Sequence, residues 1–368
     1  MKIPFFNYSY EFKKNRKDYL KIFNNIGQRG AFILQSDLKK FEENIAKYLK
    51  VKYAIGVANG TDAIWLGLMA SGIKENDEII IPSHTYVATA AAIHMLKAKP
   101  ILCECKVDGM MDEEDIIKRI SKKTKAIMPV QLNGRCCDMD KIKKIAKGYK
   151  LKIFEDAAQA FGSKYKNKFA GTFGEFGTIS LYPAKLLGCY GDGGILLTNS
   201  KKIASSVNQL RDHGRNDKGK VVSWGFNSRL DNLQAAILNY KLKNYKKDIL
   251  FRRKVANYYN NKLINNKNLQ LPPPPSLNKN FDVYQNYEIQ AYKRNKLKVY
   301  LQRKGIRCLI QWNGDPIHNF SKLGFKNNSL KKTTKYFNNC LMLPMNTSVN
   351  FKQLKFICKE INNFYKKY

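Results

Sequence analysis

Between Lys52 and Asn199, seven short apolar runs recur with helix-like stretches between them: YAIGVA, EIIIPS, PILCE, KAIMPV, LKIFED, GTISLY and GILLT. Apolar runs that alternate with helices in this way form a mostly parallel sheet covered by helices on its faces. That rhythm excludes all-helical and all-strand folds and predicts an α/β architecture. It also says where to look for chemistry, because such sheets place ligands beyond the carboxyl ends of their strands. Several of the runs end in polar or small residues suited to a site.

Hydrophobic cores tend to split beyond roughly 250 residues, so a chain of 368 residues predicts a second, smaller lobe. After Gln234 a stretch rich in Ala, Leu, Asn, Tyr and Lys reads as helix linking the two. The tetraproline Pro272–Pro275 is incompatible with helix interior and marks a stiff connection. Beyond it, FDVYQNYEIQAY alternates as a strand does, KLKVYLQRKG reads as a helix closed by Gly305, and FKQLKFICKEINNFYKKY as an amphipathic terminal helix. The expected division is a large α/β domain over residues 1–245, with an N-terminal helical segment, and a small α+β domain over 246–368.

The sequence carries 66 Lys and Arg against 29 Asp and Glu, a formal charge of +37. The basic residues are scattered, without a long basic arm or a compact basic module with interleaved aromatics, so a solvated surface is the reading and no nucleic-acid partner is expected. Such a surface still attracts small anions. Eight cysteines include a CxC and a CC pair but no paired CxxC spacing, which predicts free buried thiols and no metal site. The opening MKIPFFNYSYEFKKNRKDYL lacks the apolar run of a signal peptide or membrane helix; no membrane partner is expected and the cytoplasm is the default location.

Four segments carry chemistry. In Ser180-Leu-Tyr-Pro-Ala-Lys185, a lysine follows an apolar strand and precedes the Gly-rich run Gly188–Gly194. An aldehyde needs an uncharged amine nucleophile, and a lysine desolvated near a strand end supplies one. Alone, one lysine among so many reads as a surface charge. In Phe154-Glu155-Asp156-Ala-Ala-Gln159, an acid closes the run LKIF; it serves either to hold a pyridine nitrogen protonated or to cap the next helix. In Val57-Ala-Asn59-Gly60-Thr61-Asp62, Gly60 and Thr61 open a helix whose free N–H groups and dipole suit a phosphate, or form a plain cap. In Pro82-Ser-His84-Thr-Tyr86, Tyr86 is placed to stack on a flat ring or to pack in the core.

In this order and spacing, and together with the opening QRGAFILQSDLKKFEENIAKYL, these segments resemble the DegT/StrS family of sugar aminotransferases over nearly the whole chain. The resemblance implies a fold-type I pyridoxal 5'-phosphate (PLP)-dependent transferase, aspartate aminotransferase-like, working as a homodimer with shared active sites. Lys185 matches the Schiff-base lysine, Asp156 the pyridine partner, Gln159 a neighbour of the cofactor ring or its hydroxyl, and Ser180 a phosphate ligand. Gly60 and Thr61 match the phosphate-binding helix start and Tyr86 the stacking aromatic. Phe226–Asp231 resembles the segment reaching the partner subunit's phosphate through Asn227. Arg229, Tyr182 and His213 are candidates for substrate binding, and Arg229 serves the same phosphate equally well. His213 opens a polar, Gly-bearing stretch, DHGRNDKGKVVS, expected as a loop beside the partner.

Sugar 3-dehydratases of the family carry histidine where this chain has Lys185, so the lysine implies amino transfer. The implied reaction takes an amine from glutamate and gives it to a nucleotide-linked keto-sugar for glycan precursors. YPAKLLGCYGDGG resembles C3-aminating members more than C4-aminating ones, with amination at C4 of a 4-keto-6-deoxy sugar nucleotide as the alternative. Two readings from other classes stand beside this one: a non-catalytic regulatory homologue, and a nucleic-acid binder driven by charge.

Overall fold

In the computed structural model, which describes residues 1–276, 280–325 and 330–367, each of the seven apolar runs becomes a strand. They are β1 (Tyr53–Val57), β2 (Glu78–Pro82), β3 (Lys99–Cys103), β4 (Thr124–Ile127), β5 (Lys152–Asp156), and, after a small hairpin of β6 (Lys164–Tyr165) and β7 (Lys168–Phe169), β8 (Phe176–Ser180) and β9 (Gly194–Thr198). The sheet order is β1-β9-β8-β5-β4-β2-β3. Strands β3, β2, β4, β5 and β8 pair in parallel, while β9 runs antiparallel to both β8 and β1. The carboxyl ends of six strands and the start of β9 therefore share one edge.

Side chains alternate across a strand with period two, and this sheet uses both faces. Ile80 packs into a core with Phe41, Ile127 and Leu238. Its neighbours Ile79 and Ile81 enter the opposite core with Ile55, Phe154 and Phe176. Helices α1 (Tyr8–Arg29) and α2 (Ser36–Leu49) precede the sheet, and α3 (Gly60–Ala70), α4 (Val87–His94), α5 (Glu113–Arg119), α6 (Met139–Gly148) and α7 (Lys201–Leu210) connect or cover its strands.

The helical stretch after Gln234 forms two helices, α8 (Asn232–Leu242) and α9 (Tyr245–Leu263). Between them Lys243 and Asn244 donate their N–H groups to carbonyls three residues back, of Tyr240 and Lys241, which tightens the turn and redirects the chain. The tetraproline has no regular structure. FDVYQNYEIQAY is a strand only in part. After β10 (Leu269–Gln270), residues Asn280–Phe281 form β11 and Tyr287–Ala291 form β12. Between them Tyr284 takes φ 54°, and Val283 donates to the Gly134 carbonyl instead of to a ladder.

Helix α10 (Arg294–Arg303), helix α11 (Lys331–Asn339), strand β13 (Cys340–Leu343) and helix α12 (Phe351–Lys366) complete the described chain. Asn350 and Gln353 form a reciprocal capping box at the start of α12. The last residue of the expected terminal helix, Tyr368, lies outside the described residues. Strands β10, β12 and β13 make an antiparallel sheet. A third core gathers there, including Val255, Tyr259, Ile289, Leu301 and Ile357, and Ile3 from the amino terminus joins it. All eight cysteines are buried and free. Among the described residues no helix is long and apolar enough to cross a membrane.

Candidate active site

The shared sheet edge opens into a cavity of about 480 Å³ lined by Asn59, Gly60, Thr61, Tyr86, Thr89, Asp156, Gln159, Ser180, Tyr182, Lys185 and Trp312, among others. Strand β1 delivers the first of these. Asn59 caps α3, its side chain accepting from the Asp62 N–H at 2.8 Å and its carbonyl from Ala63, which leaves the Gly60 and Thr61 N–H groups at the open helix end. A Cβ on Gly60 would stand 3.0 Å from that of Ser180, and one on Gly194 only 2.2 Å from the Asn59 carbonyl oxygen. The Gly-rich run after the lysine thus lets β9 start directly beneath this helix entry.

Strand β5 delivers two adjacent acids to opposite sides. Glu155 accepts from the backbone N–H groups of Gly171 and Gly174 and from Gln131, so its role is to hold a turn. Asp156, 5% exposed, turns into the cavity. Its Oδ2 accepts from the Thr89 hydroxyl at 2.7 Å and its Oδ1 from the Ala158 N–H at 3.1 Å. Burial raises the Asp156 pKa, opposed by Thr89, Ala158 and the positive charge of Lys185. Thr89 in turn shares a hydrogen bond with Thr85.

The Lys185 turn is held from outside the sheet. Lys185 N–H donates to the Tyr182 carbonyl, while the Gln285 side chain accepts from Leu186 N–H at 2.7 Å and donates to the Ala184 carbonyl at 2.8 Å. Burial lowers the Lys185 pKa to about 8, against the pull of Asp156. The uncharged amine that an aldehyde requires is therefore accessible near neutrality. In the cofactor-free protein, reductive methylation read by peptide mapping is expected to rise with pH at Lys185 and level off above about 8. Surface lysines continue to gain reactivity toward ~10.4, and a Lys185 profile that tracks theirs would contradict the desolvated amine.

Of the residues expected from sequence, Gly60, Thr61, Tyr86, Asp156, Gln159, Ser180, Tyr182 and Lys185 all line this one cavity. Gln159 accepts from the Asn133 N–H, and Tyr86 is 56% exposed, its ring 6.3 Å from that of Trp312. The other three do not join them. Ser228 is buried and pinned to the α3 entry through Asp62 and Ala58, whereas Asn227 beside it is exposed. Arg229 pairs with Asp212 at 2.7 Å. His213 is exposed at φ 56° in a stretch where Arg215 and Val221 bridge.

Sequence reading missed Thr89, Gln285 and Trp312. Thr85 and Thr89, one helical turn apart in an alanine-rich run, are the readable signal for the first. Trp312 reaches the cavity, and Gln285 the turn that carries Lys185, from the far third of the chain, where no local pattern points to either. Thr89→Val keeps the side-chain volume and removes the donor to Asp156. It is expected to weaken cofactor binding on the order of tenfold, a net hydrogen bond to a charged group being worth ~1.5–3 kcal/mol. Unchanged affinity in a fluorescence titration would remove Thr89 from the account.

A buried carboxylate, a desolvated amine and a helix end too crowded for a side chain at Gly60 fit the nitrogen, aldehyde and phosphate of a pyridoxal phosphate. With the mixed seven-stranded sheet, they define a transferase of the fold-type I, aspartate aminotransferase-like class. The model of the DegT/DnrJ/EryC1/StrS aminotransferase family matches residues 13–362, and the chain belongs to that family. A UDP-2-acetamido-2-deoxy-3-oxo-D-glucuronate aminotransferase from Pseudomonas aeruginosa is 34% identical over 337 residues, 91% of this chain and 93% of the relative. A pleiotropic regulatory protein from Geobacillus stearothermophilus is 34% identical over 370 residues, 100% of this chain and 99% of its own. The crystal structure of S. venezuelae DesV in complex with a ketimine intermediate superposes with TM-score 0.95 at 29% identity, covering 100% of this chain and 99% of DesV.

Proposed function

We propose that this aminotransferase moves an amino group from glutamate to the C3 ketone of a nucleotide-linked sugar, using pyridoxal phosphate held on Lys185, as a cytoplasmic homodimer supplying glycan precursors. The observation that carries the reading is the meeting of Lys185 and Asp156 in one cavity beside the open end of α3. When bound, the cofactor supplies an electron sink for the carbanion left as the donor loses its α-proton.

Each residue then has a defined task. Asp156 holds the ring nitrogen protonated, and Thr89 and Ala158 hold Asp156. Gly60 and Thr61 N–H groups and the Ser180 hydroxyl bind the phosphate, Tyr86 covers a ring face, and Gln159 sits beside the ring. Once displaced by the donor amine, Lys185 Nζ takes the proton from the donor α-carbon and hands it on. In the second half the same nitrogen returns a proton to the sugar carbon that accepts the amine. Tyr182, at the cavity mouth, contacts the substrate.

Placement of the remaining candidates favours a dimer. Asn227, His213 and Arg229 lie outside the cavity of their own chain and beside a hairpin whose Trp224 is 95% exposed. In this reading they serve the second subunit's site, Asn227 at its phosphate and Arg229 and His213 at phosphate or substrate. The name of the Geobacillus relative supports a regulatory reading, while retention of Lys185 and Asp156 in hydrogen-bonding company supports catalysis.

The C3 assignment draws on the YPAKLLGCYGDGG turn and on the 3-oxo sugar in the name of the Pseudomonas relative. Its test is incubation with glutamate and a panel of 3-keto and 4-keto sugar nucleotides, read by mass spectrometry. Amination of 3-keto substrates is expected; amination of 4-keto substrates alone would overturn the position.

A further inference from the structure

One buried carboxyl of the small domain takes no part in the mechanism above. Glu288, on β12, is 6% exposed and lies between two segments that reach the reaction cavity. Its Oε1 accepts from the Tyr336 hydroxyl of α11 at 2.8 Å and from the Asn133 side chain at 3.0 Å, and it stands 4.0 Å from His84 Nε2. Arg135 and Arg294 act on it from further off, and the buried thiols of Cys105 and Cys340 also feel its charge.

Two atoms of this cluster are bare. Glu288 Oε2 and His84 Nε2 are buried without a hydrogen-bond partner among the described residues. His84 Nδ1 lies 2.8 Å from the Gly109 carbonyl, which only accepts, so that nitrogen carries a proton and Nε2 of the neutral ring is an acceptor. A carboxylate facing such a nitrogen sets a buried charge against a lone pair, which is costly. One proton on the pair removes that charge. At 4.0 Å the two atoms are too far apart to share it in a hydrogen bond, so it belongs to one side. Burial raises the Glu288 pKa to about 7, against Tyr336 and Asn133, and lowers that of His84 to about 4. The acid therefore keeps the proton up to neutrality.

What the acid touches leads to the cavity from two sides. Asn133 has a left-handed backbone, φ 55°, and its side chain donates to Glu288 and accepts from Asn286. The N–H of the same residue donates to Gln159 at 2.9 Å. On the other side, His84 begins the run that carries Tyr86 and Thr89. Its ring packs on Tyr336, the centroids 4.6 Å apart, and on Trp312 at 5.5 Å. Trp312 lines the cavity from a turn, 312–314, that is left-handed throughout. Residues other than glycine keep such a backbone where their surroundings hold it.

We propose that Glu288 is a positioning residue for the cofactor site, fixing the Gln159 wall through Asn133 and the Tyr86 and Trp312 wall through His84, so that the small domain sets the shape of the cavity. The inference rests on the cofactor placement proposed above.

The test titrates cofactor-free protein with pyridoxal phosphate, read by fluorescence, and then compares the visible circular dichroism of the bound cofactor. Glu288→Leu is expected to bind about tenfold more weakly, within the range by which residues along such contact chains alter coupling, and to lose visible dichroism per bound cofactor. Glu288→Gln, neutral and of the same shape, is expected to restore both. Glu288→Asp withdraws the carboxyl by one methylene and is expected to weaken binding in the same direction, which keeps the test intact if Glu288→Leu does not fold. Tyr259→Phe removes a buried hydrogen bond to the Pro344 carbonyl in the same domain and is expected to lower Tm while leaving affinity and dichroism alone. Infrared difference spectra of cofactor-free protein are expected to show a protonated carboxyl that disappears as pH rises through about 7 and that Glu288→Gln lacks at every pH.

Wild-type affinity and dichroism in Glu288→Leu or Glu288→Asp overturn the inference. So does equal impairment in Tyr259→Phe, which would reduce the effect to stability, or in Glu288→Gln. A carboxyl band that survives in Glu288→Gln belongs to another acid and overturns the neutral form of Glu288. Wild-type protein that binds no pyridoxal phosphate defeats the proposed function and the inference with it, whereas normal wild-type binding with unaffected variants defeats the inference alone.

Discussion

Lys185→Ala is expected to abolish turnover while leaving the protein folded and still able to bind pyridoxal phosphate through the remaining ligands. The lysine has two tasks in this account, covalent hold on the cofactor and proton transfer. General acid–base catalysis by one positioned group is worth ~10²–10⁴-fold, so loss of both places the variant at or beyond the upper end of that range. The amine is short of solvent and lowered to about 8, and its turn is fixed by Gln285 on either side, at Ala184 and Leu186. The substitution removes a functional group without removing that scaffold. Retention of more than a hundredth of wild-type kcat, with a normal circular dichroism spectrum, would show that another residue moves the proton. Added methylamine, a free amine small enough for the vacated space, is expected to restore part of the rate.

Asp156→Asn is expected to have the next largest effect. In the proposed mechanism the carboxylate stabilises charge on the ring nitrogen, and losing one preorganised electrostatic partner in a water-poor site costs on the order of 10²–10³-fold in kcat. Asparagine keeps the size and has one acceptor in place of two, so if it accepts from Thr89 its NH2 faces the Ala158 N–H, and the loss combines the charge with one hydrogen bond. Because burial raises the Asp156 pKa while Thr89, Ala158 and Lys185 lower it, removing Thr89 tips this balance toward the protonated acid. The wild-type enzyme is accordingly expected to lose activity as falling pH protonates Asp156, and Thr89→Val to move that acid limb upward. Identical acid limbs in the two proteins would separate Thr89 from the control of Asp156.

Much of the site was readable from sequence because strand ends advertise themselves. An apolar run that stops at Asp156, at Ser180 or before Asn59 declares both the strand and the position at the sheet edge, and eight of the expected residues converge as a result. Glu155 and Asp156 show what periodicity adds, since adjacent acids on one strand must face opposite ways. What escaped was non-local. Gln285 sits in the irregular turn that interrupts the expected strand, where Tyr284 takes a left-handed backbone. Trp312 reaches the cavity from a turn whose own φ is 45°. Neither has a neighbour in sequence that reports on the cavity, so only the folded chain connects them to Lys185. Asn227 and Arg229 flank the buried Ser228, and neither lines the cavity of its own chain.

The central claim, that Lys185 carries the cofactor and surrenders it to an amino donor, is tested most directly by borohydride trapping followed by peptide mass mapping, with and without glutamate. The cofactor mass is expected on the peptide containing Lys185 alone when glutamate is absent, and is expected to disappear from it when glutamate is added before the reductant. Cofactor mass spread over many lysines, or a Lys185 adduct that glutamate leaves untouched, would contradict the account.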